Sequence, residues 1–351
     1  MLSPGQLTMF SAYPDTYKIH VYENSGACQI PPEIKAISQT NGTMVNDNEG
    51  IEVANMGQLP FPNPTEAQHF IWNMRLSSSN VSSVFRVATS TNVQADGSII
   101  IGQQETNIVF PRNPNTVSQY ADKNIYAMFM QKNLGPPRSA GTTTLVHDFI
   151  DSYVQPRKAW QYNPATRRVR RAPDITYDTV LLAGGGIVVV DQYGGFNGAQ
   201  DKYDWKYEGK KSMIVPASND ALADNAIETT HMQNHLNPDY VRYEERDVHV
   251  VHAQLKPGQR HLYASRTFYI MDDDFYNLSI MDAYDDNGEL MRHQIGTMVT
   301  GIEGTEANEC NIQGEFTFDF ATRTYTGNNQ LGSGFSTVPT VYNGEEKPAS
   351  F

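Results

Sequence analysis

The sequence is poor in the residues that usually announce chemistry. Among its 351 residues are only two cysteines, Cys28 and Cys310. They lie far apart with no CxxC or Cys/His companion, which argues against zinc and against a dithiol redox centre. One disulfide, or two thiols packed as small hydrophobes, are both open readings. Charged residues make up 19%, and cations are the scarcer sign, 26 against 39 for a net charge of −13. Such a chain repels a phosphate-rich polyanion unless a basic patch is sharply segregated, so nucleic acid is not an expected partner. No apolar run approaches the ~20 residues that a membrane span needs. Met1 is followed by Leu2-Ser3-Pro4-Gly5 and not by an export signal. Gly184-Gly185-Gly186 lacks the Lys-Ser/Thr of a P-loop and the GxGxxG spacing of a dinucleotide fold. Neither a GxSxG elbow nor a cysteine-nucleophile context is present. The chain therefore reads as a non-enzyme, with no catalytic set, metal ligands or cofactor expected.

What is abundant points to strands. Tyr (19) and Phe (15) are plentiful, as are Thr, Asn and Ser, a composition that favours sheets and polar turns over helix bundles. Residues 1–64, rich in Pro, Asn and Gly, read as an irregular segment wrapping a core formed elsewhere, with a short helix near Pro32 to Gln39. Residues 65–76 read as an amphipathic helix. Thr65 stands as its N-cap with Gln68 three residues on, and Ala67, Phe70, Ile71 and Met74 fall at i, i+3, i+4 and i+7.

From Val81 the apolar period becomes two, and Val81, Ser83, Phe85 and Val87 share one face. Asp96-Gly97 turns the chain into a return strand at Ile99 to Ile101. Ile125 to Met130 and Thr144 to Ile150 read as strands separated by Gly135-Pro136-Pro137. A further hairpin pairs Ala159 to Tyr162 with Arg168 to Arg170, setting Trp160 and Tyr162 on one face. Residues 172–246 look like an irregular insertion. Beyond them a β-meander runs through Asp247 to Leu255, Arg260 to Ile270 and Tyr276 to Tyr284, and a fourth strand follows Asp286-Asn287-Gly288. Phe316, Phe318 and Phe320 mark a last half-buried strand, and residues 326–351 read as a loose polar tail.

Each apparent reactive motif has a plainer explanation. His231 and His235 are four apart, but no Glu lies in the HExxH position and Asn237-Pro238 ends any helix at once. His249 and His252, three apart on an expected strand, fall on opposite faces unless a bulge intervenes, and the phase change between Val250 and Val251 suggests one. Asp282 to Glu289 superficially matches a calcium loop, yet Gln294 stands where Glu is required, so a hairpin turn explains it better. The basic cluster Arg167 to Arg171 alternates around Val169 and reads as a solvated strand edge.

Taken together, certain segments resemble a known family. They include Pro156 to Pro164, Arg167 to Pro173, Thr176-Tyr177-Asp178, Asp191-Gln192-Tyr193, Phe196-Asn197-Gly198, Asp201 to Lys206, Gly209-Lys210-Lys211 and His235 to Pro238. The meander from Val248 to Arg292, Leu2 to Gln6, Tyr13 to Tyr17 and Pro60-Phe61-Pro62 fit as well. The family is the proteobacterial domain of unknown function numbered 1329, described as outer-membrane lipoprotein-sorting-like and related to LolA and LolB. The chain departs from the family pattern at Gly194-Gly195, where larger residues are expected, and over Ala217 to Met232. Family members carry an export signal and a further segment ahead of Leu2-Ser3-Pro4, so the chain looks truncated.

The resemblance implies a mainly β, α+β fold over residues 1–325: a large, strongly curved antiparallel sheet forming an incomplete, LolA-like barrel. A few short helices and loops plug its concave face. It also implies a periplasmic binding or carrier protein for a lipid or other hydrophobic ligand, with an RND-type transporter or an outer-membrane protein as partner. Inward-facing side chains of such a sheet line an apolar chamber. The expected liners are Phe70, Trp72, Trp160, Phe268 and Phe318, each of which also suits a plain core. Two other readings stand beside it. One is an envelope scaffold whose chamber is filled by its own side chains. The other, ranked lower, is an enzyme on a hydrophobic substrate, for which His252, Asp191 and Arg266 are the candidates.

Overall fold

A computed structural model describes residues 1–26, 59–76, 83–110, 124–152, 155–181, 185–300 and 310–330. It also describes the strand residues 43–45, 51–53 and 340–342, together with Pro32, Ala36 and Gln39. The helix expected near Pro32 to Gln39 lies mostly outside the described residues, of which these last three are helical. Cys28 lies outside them too, so its pairing with Cys310 is not described.

The chain opens with helix α1 (Pro4–Ala12), capped by a reciprocal pair: the Gln6 amide donates to Ser3 Oγ and the Ser3 amide to Gln6 Oε1. Strand β1 (His20–Tyr22) and the small ribbon β2 (Thr43–Val45) with β3 (Ile51–Val53) follow, then helix α2 (Ala67–Leu76). The first half of the main sheet is β4 (Ser83–Val93), β5 (Ile99–Val109), β6 (Ile125–Gly135), β7 (Thr143–Phe149), β8 (Lys158–Asn163) and β9 (Arg168–Arg171). A ribbon of β10 (Val180–Leu181) and β11 (Val188–Val189) leads to the long β12 (Tyr203–Pro216) and the short helices α3 (Asp220–Asp224) and α4 (Ile227–Thr230). The second half is β13 (Arg242–Leu255), β14 (Ser265–Met271), β15 (Leu278–Tyr284), β16 (Leu290–Thr300), β17 (Cys310–Asp319) and β18 (Thr324–Gln330), with β19 (Thr340–Tyr342) beside β4.

These strands form one large sheet that is not closed into a barrel, in the order β1-β13-β14-β15-β16-β17-β18-β4-β5-β6-β7-β8-β9, with β12 paired to β13. The expected hairpins and meander are present. At the β4–β5 turn, Asp96 Oδ1 accepts from the amide and hydroxyl of Ser98 while Gly97 takes φ +87°, open to glycine without strain.

Four expectations need correction. The sheet is mixed and not purely antiparallel, because β1 runs parallel to β13. The region 172–246 holds a 14-residue strand, β12, which pairs with β13 along its whole length. The sheet continues past residue 325: Thr326 and Asn328 are buried in β18, where Thr326 Oγ1 donates to the Thr91 carbonyl. Finally, α2 starts at Ala67, two residues after the expected N-cap Thr65, and His69 Nδ1 accepts from the amides of Thr65 and Glu66 just ahead of the helix.

Register assigns the residues to two faces. On one, Val248, Val250, Ile280, Ile295, Phe316 and Phe318 pack under α1 and α3 through Met9 and Leu222. On the other, Val251, Ala253, Phe268, Ile270 and Met281 pack under α2 through Ala67, Phe70, Ile71 and Met74. This second face is the concave one, as the reach of α2 shows. The helix is ~15 Å long, yet Phe70 stacks on Tyr207 of β12 while the Arg75 guanidinium donates to the Phe149 carbonyl at the end of β7. From β13 to β7 the sheet path crosses nine inter-strand steps, about 43 Å if laid flat at ~4.8 Å each. The sheet must curl around the helix for both contacts to form.

Candidate functional site

The concave face is covered by two segments, residues 59–76 carrying α2 and residues 185–201 after the β10 ribbon. Apolar side chains form the layer between them and the sheet. Phe70, Ile71 and Met74 meet Val251, Phe268 and Met281, and Phe196 adds edge contacts to Trp205 and Phe268.

Polar pins hold the second segment in place. Asp191 receives a two-pronged pair from Arg266, at 2.9 and 3.1 Å, and a contact from His261 Nε2 at 3.1 Å. All three side chains are sealed from solvent. Burial alone pushes the Asp191 carboxyl up, but the charge of Arg266 and the bond to His261 override it, holding the carboxyl well below the ordinary range. The Arg266 guanidinium lies over the rings of Tyr203, Phe196, Phe268 and Tyr263 at 4.6–5.8 Å. One residue further, Gln192 donates to Thr317 Oγ1 and accepts from the Tyr263 hydroxyl.

The loop that follows explains the unexpected glycines. The Gly195 amide donates to Glu315 Oε1 at 2.9 Å. Gly195 has φ +87°, and a Cβ there would lie 2.9 Å from Leu278 Cβ. Conformation and close approach both require glycine. Burial pushes the Glu315 carboxyl up to about 7 against the amides of Gly194 and Gly195 and the charge of Arg86, which pull it down. Beyond it, Arg292 pairs with Asp319 at 2.9 Å and reaches the Ile187 carbonyl.

At the β12–β13 end, His249 is clamped between the rings of Phe70 and Tyr276, and its nitrogens meet the Tyr207 hydroxyl at 2.9 Å and Asp272 Oδ1 at 2.8 Å. Burial lowers its basicity against the pull of Asp272. This hydroxyl–imidazole–carboxylate row fixes the ring on which the first turn of α2 rests.

The five expected liners are not brought together. Phe70 and Phe268 share the concave layer. Trp72 packs beside it with Leu76, Ile150, Phe61 and Tyr126. Phe318 is on the convex face, where it stacks with Tyr325. Trp160 falls by register on that same convex side, half-buried against His147.

Of the three residues considered for catalysis, Asp191 and Arg266 do meet, in a sealed pin. His252 stands apart on the opposite face, bonded to Thr267 Oγ1. His231 follows the end of α4 and contacts Thr91, while His235 contacts Thr16. Among the described residues no group of three His, Cys, Asp or Glu side chains is placed to hold a metal ion. None of those helices is long and apolar enough to cross a membrane. Glu315, His261 and Tyr207 carry no motif and Gln192 is marked only by the family-like segment Asp191-Gln192-Tyr193; the partners described above lie 42 to 125 residues away, so no local pattern shows what they pair with.

Geometrically the molecule is an open, curled mixed sheet with a plugged concave face. The chain belongs to the family described as protein of unknown function (DUF1329), whose pattern matches residues 1–343. It is 38% identical over 296 residues to an uncharacterised protein of Pseudomonas aeruginosa, a match covering 83% of this chain and 64% of that relative's length. A DUF1329 family protein from Desulfovibrio piger has a similar structure, with TM-score 0.51 at 13% identity over 80% of this chain and 92% of that one. A LolA superfamily protein from Nitrosomonas europaea aligns with TM-score 0.44 at 11% identity over 81% and 96% of the two chains.

Proposed function

We propose that this protein is a carrier or binding protein of the bacterial periplasm that takes up a lipid or other hydrophobic molecule between α2 and the concave face of its sheet. The observation that carries the reading is the apolar layer made by Phe70, Ile71 and Met74 against Val251, Phe268 and Met281. A layer held by packing alone separates without leaving unpaired polar groups. An acyl chain that replaces those contacts gains ~0.8 kcal/mol per buried methylene. Polar pins hold residues 185–201, and α2 is tied near its C-terminal end, where the buried Arg75 donates to the Phe149 and Gly198 carbonyls, so the part that moves is its N-terminal stretch carrying Phe70, Ile71 and Met74. Chemistry is not required of such a protein.

A second reading, the envelope scaffold without a ligand, is favoured by the pins themselves, since Asp191, Arg266 and His261 tie the 185–201 segment to the sheet. Organic-solvent extraction of the full chain purified from a bacterial envelope, followed by titration with a fluorescent fatty acid, separates the two. The carrier reading expects extracted lipid and saturable binding of about one probe per chain. Neither lipid nor probe binding leaves the scaffold.

A further inference from the structure

The β6–β7 and β8–β9 hairpin tips lie side by side, close enough that a Cβ on Gly141 would meet Pro164 at 3.3 Å. At their base is a cavity of about 440 Å³ lined by Glu105, Asn107, Met130, Lys132, Thr143 and Tyr162. Register places Glu105, Lys132, Thr143 and Tyr162 in one row across four strands, which Val169 of the terminal strand β9 continues. The row is on the face away from α2.

The paired tips carry a cluster of the chain's scarce cations, with Lys132 and Arg171 on the cavity's own face by register and Arg168 and Arg170 on the other side of the edge strand β9. Lys132, Arg138, Arg167, Arg168, Arg170 and Arg171 are all exposed, and none has an ion-pair partner among the described residues. Arg170 donates to the uncharged Gln161 Oε1, which leaves its charge unneutralised. Among them stand two exposed apolar side chains, Leu134 at 39% and Val169 at 65%. Arginines on a terminal strand guard it against pairing with other strands. That accounts for β9, but not for Lys132 and Arg138 on the neighbouring hairpin, nor for the cavity between them. In a chain of net charge −13 this is the segregated basic patch that contact with an anionic surface requires. Cations interspersed with exposed aliphatic side chains match the boundary between lipid headgroups and acyl chains.

We infer that the paired tips are a docking surface for a bilayer containing anionic phospholipids. The arginines of the tips and of both sides of the edge strand meet the phosphates, the cavity receives a headgroup, and Leu134 and Val169 enter the boundary layer. Glu105, opposite Lys132 in the register, offsets that one lysine and leaves the arginines of the tips and edge strand unneutralised. The inference holds whether or not the interior carries a ligand.

Co-sedimentation with vesicles of phosphatidylcholine, alone or mixed with phosphatidylglycerol, tests it on the full chain. One variant replaces Arg138, Arg167, Arg168, Arg170 and Arg171 with glutamine, and a second combines Leu134→Ser with Val169→Ser. These side chains are exposed, so thermal unfolding should match the parent and confirm the fold. The parent is expected to bind only the phosphatidylglycerol vesicles and to be released by salt. The glutamine variant should bind ~100-fold more weakly or worse, and the serine variant several-fold more weakly. Inorganic phosphate should compete better than chloride at equal ionic strength, and equal competition overturns the headgroup cavity. Equal binding to both vesicle types, unchanged binding by the glutamine variant, or equal affinity for a single-stranded oligonucleotide overturns the membrane surface.

Discussion

Glu315 is an acid that folding keeps protonated. Its carboxyl titrates near 7 in the folded protein against 4.5 in an exposed chain, so the folded state binds more protons between those values. Stability from this group is therefore full below pH 4.5 and is lost as pH rises through 7, on the order of 3 kcal/mol in all. Asp273, also pushed up to about 7 by burial, adds the same sign. Glu315→Gln should remove part of that decline, read as the difference in urea-unfolding free energy below pH 4.5 and above pH 7. A slope identical to the parent's would mean that Glu315 is ionised in the fold.

Asp191 and Arg266 behave differently, because each is costly only without the other. Arg266→Met leaves a buried carboxylate facing His261 and should cost ~3–5 kcal/mol. Adding Asp191→Leu should restore most of it in a double-mutant cycle. Both residues stand out in the sequence as polar candidates for a site. Their 75-residue separation hides the fact that they neutralise one another out of reach of solvent.

Among the elements, β12 shows most clearly why a strand can go unread. Its aromatic and most of its aliphatic residues keep odd numbers, Ile214 being the exception, but with Lys and Glu between them the segment looks like a polar insertion. Tyr203, Trp205 and Tyr207 face the concave side, whereas Met213 and Val215 face the convex core. The switch is made by the extra residue Glu208, which bulges between Tyr207 and Gly209 opposite Val251 and Val250. The phase change at Val250 and Val251 is thus legible in the sequence, but the bulge behind it sits on the partner strand. Deleting Glu208 should force one end of β12 to turn its side chains to the wrong face. The expected result is a loss of ~3 kcal/mol or more, seen as a lowered urea midpoint. An unchanged midpoint would show that the two faces are not tied to this register. The helix α2, by contrast, is readable from its i, i+3, i+4, i+7 stripe, because that stripe points at one layer of the core.

At the scale of the whole molecule, alternation and turns make the hairpins and meander visible, since period two and Asp-Gly or Asn-Gly turns are local signals. Curvature is not local. It emerges from a sheet long enough to bring β7 and β12 to the same ten-residue helix, and that curl decides which face is interior. For this reason aromatics chosen by helix and strand pattern alone divide between the two sides of the sheet, with Phe70 of α2 and Phe268 inside and Phe318 and Trp160 outside. The central claim is that a hydrophobic ligand enters between α2 and the concave face. The most direct measurement is photolabelling of the full chain with a diazirine fatty acid, followed by peptide mapping. Label on α2 at Phe70 to Met74 and on the facing strands near Val251, Phe268 and Met281 is the predicted result. No saturable label, or label confined to the convex face, would contradict it.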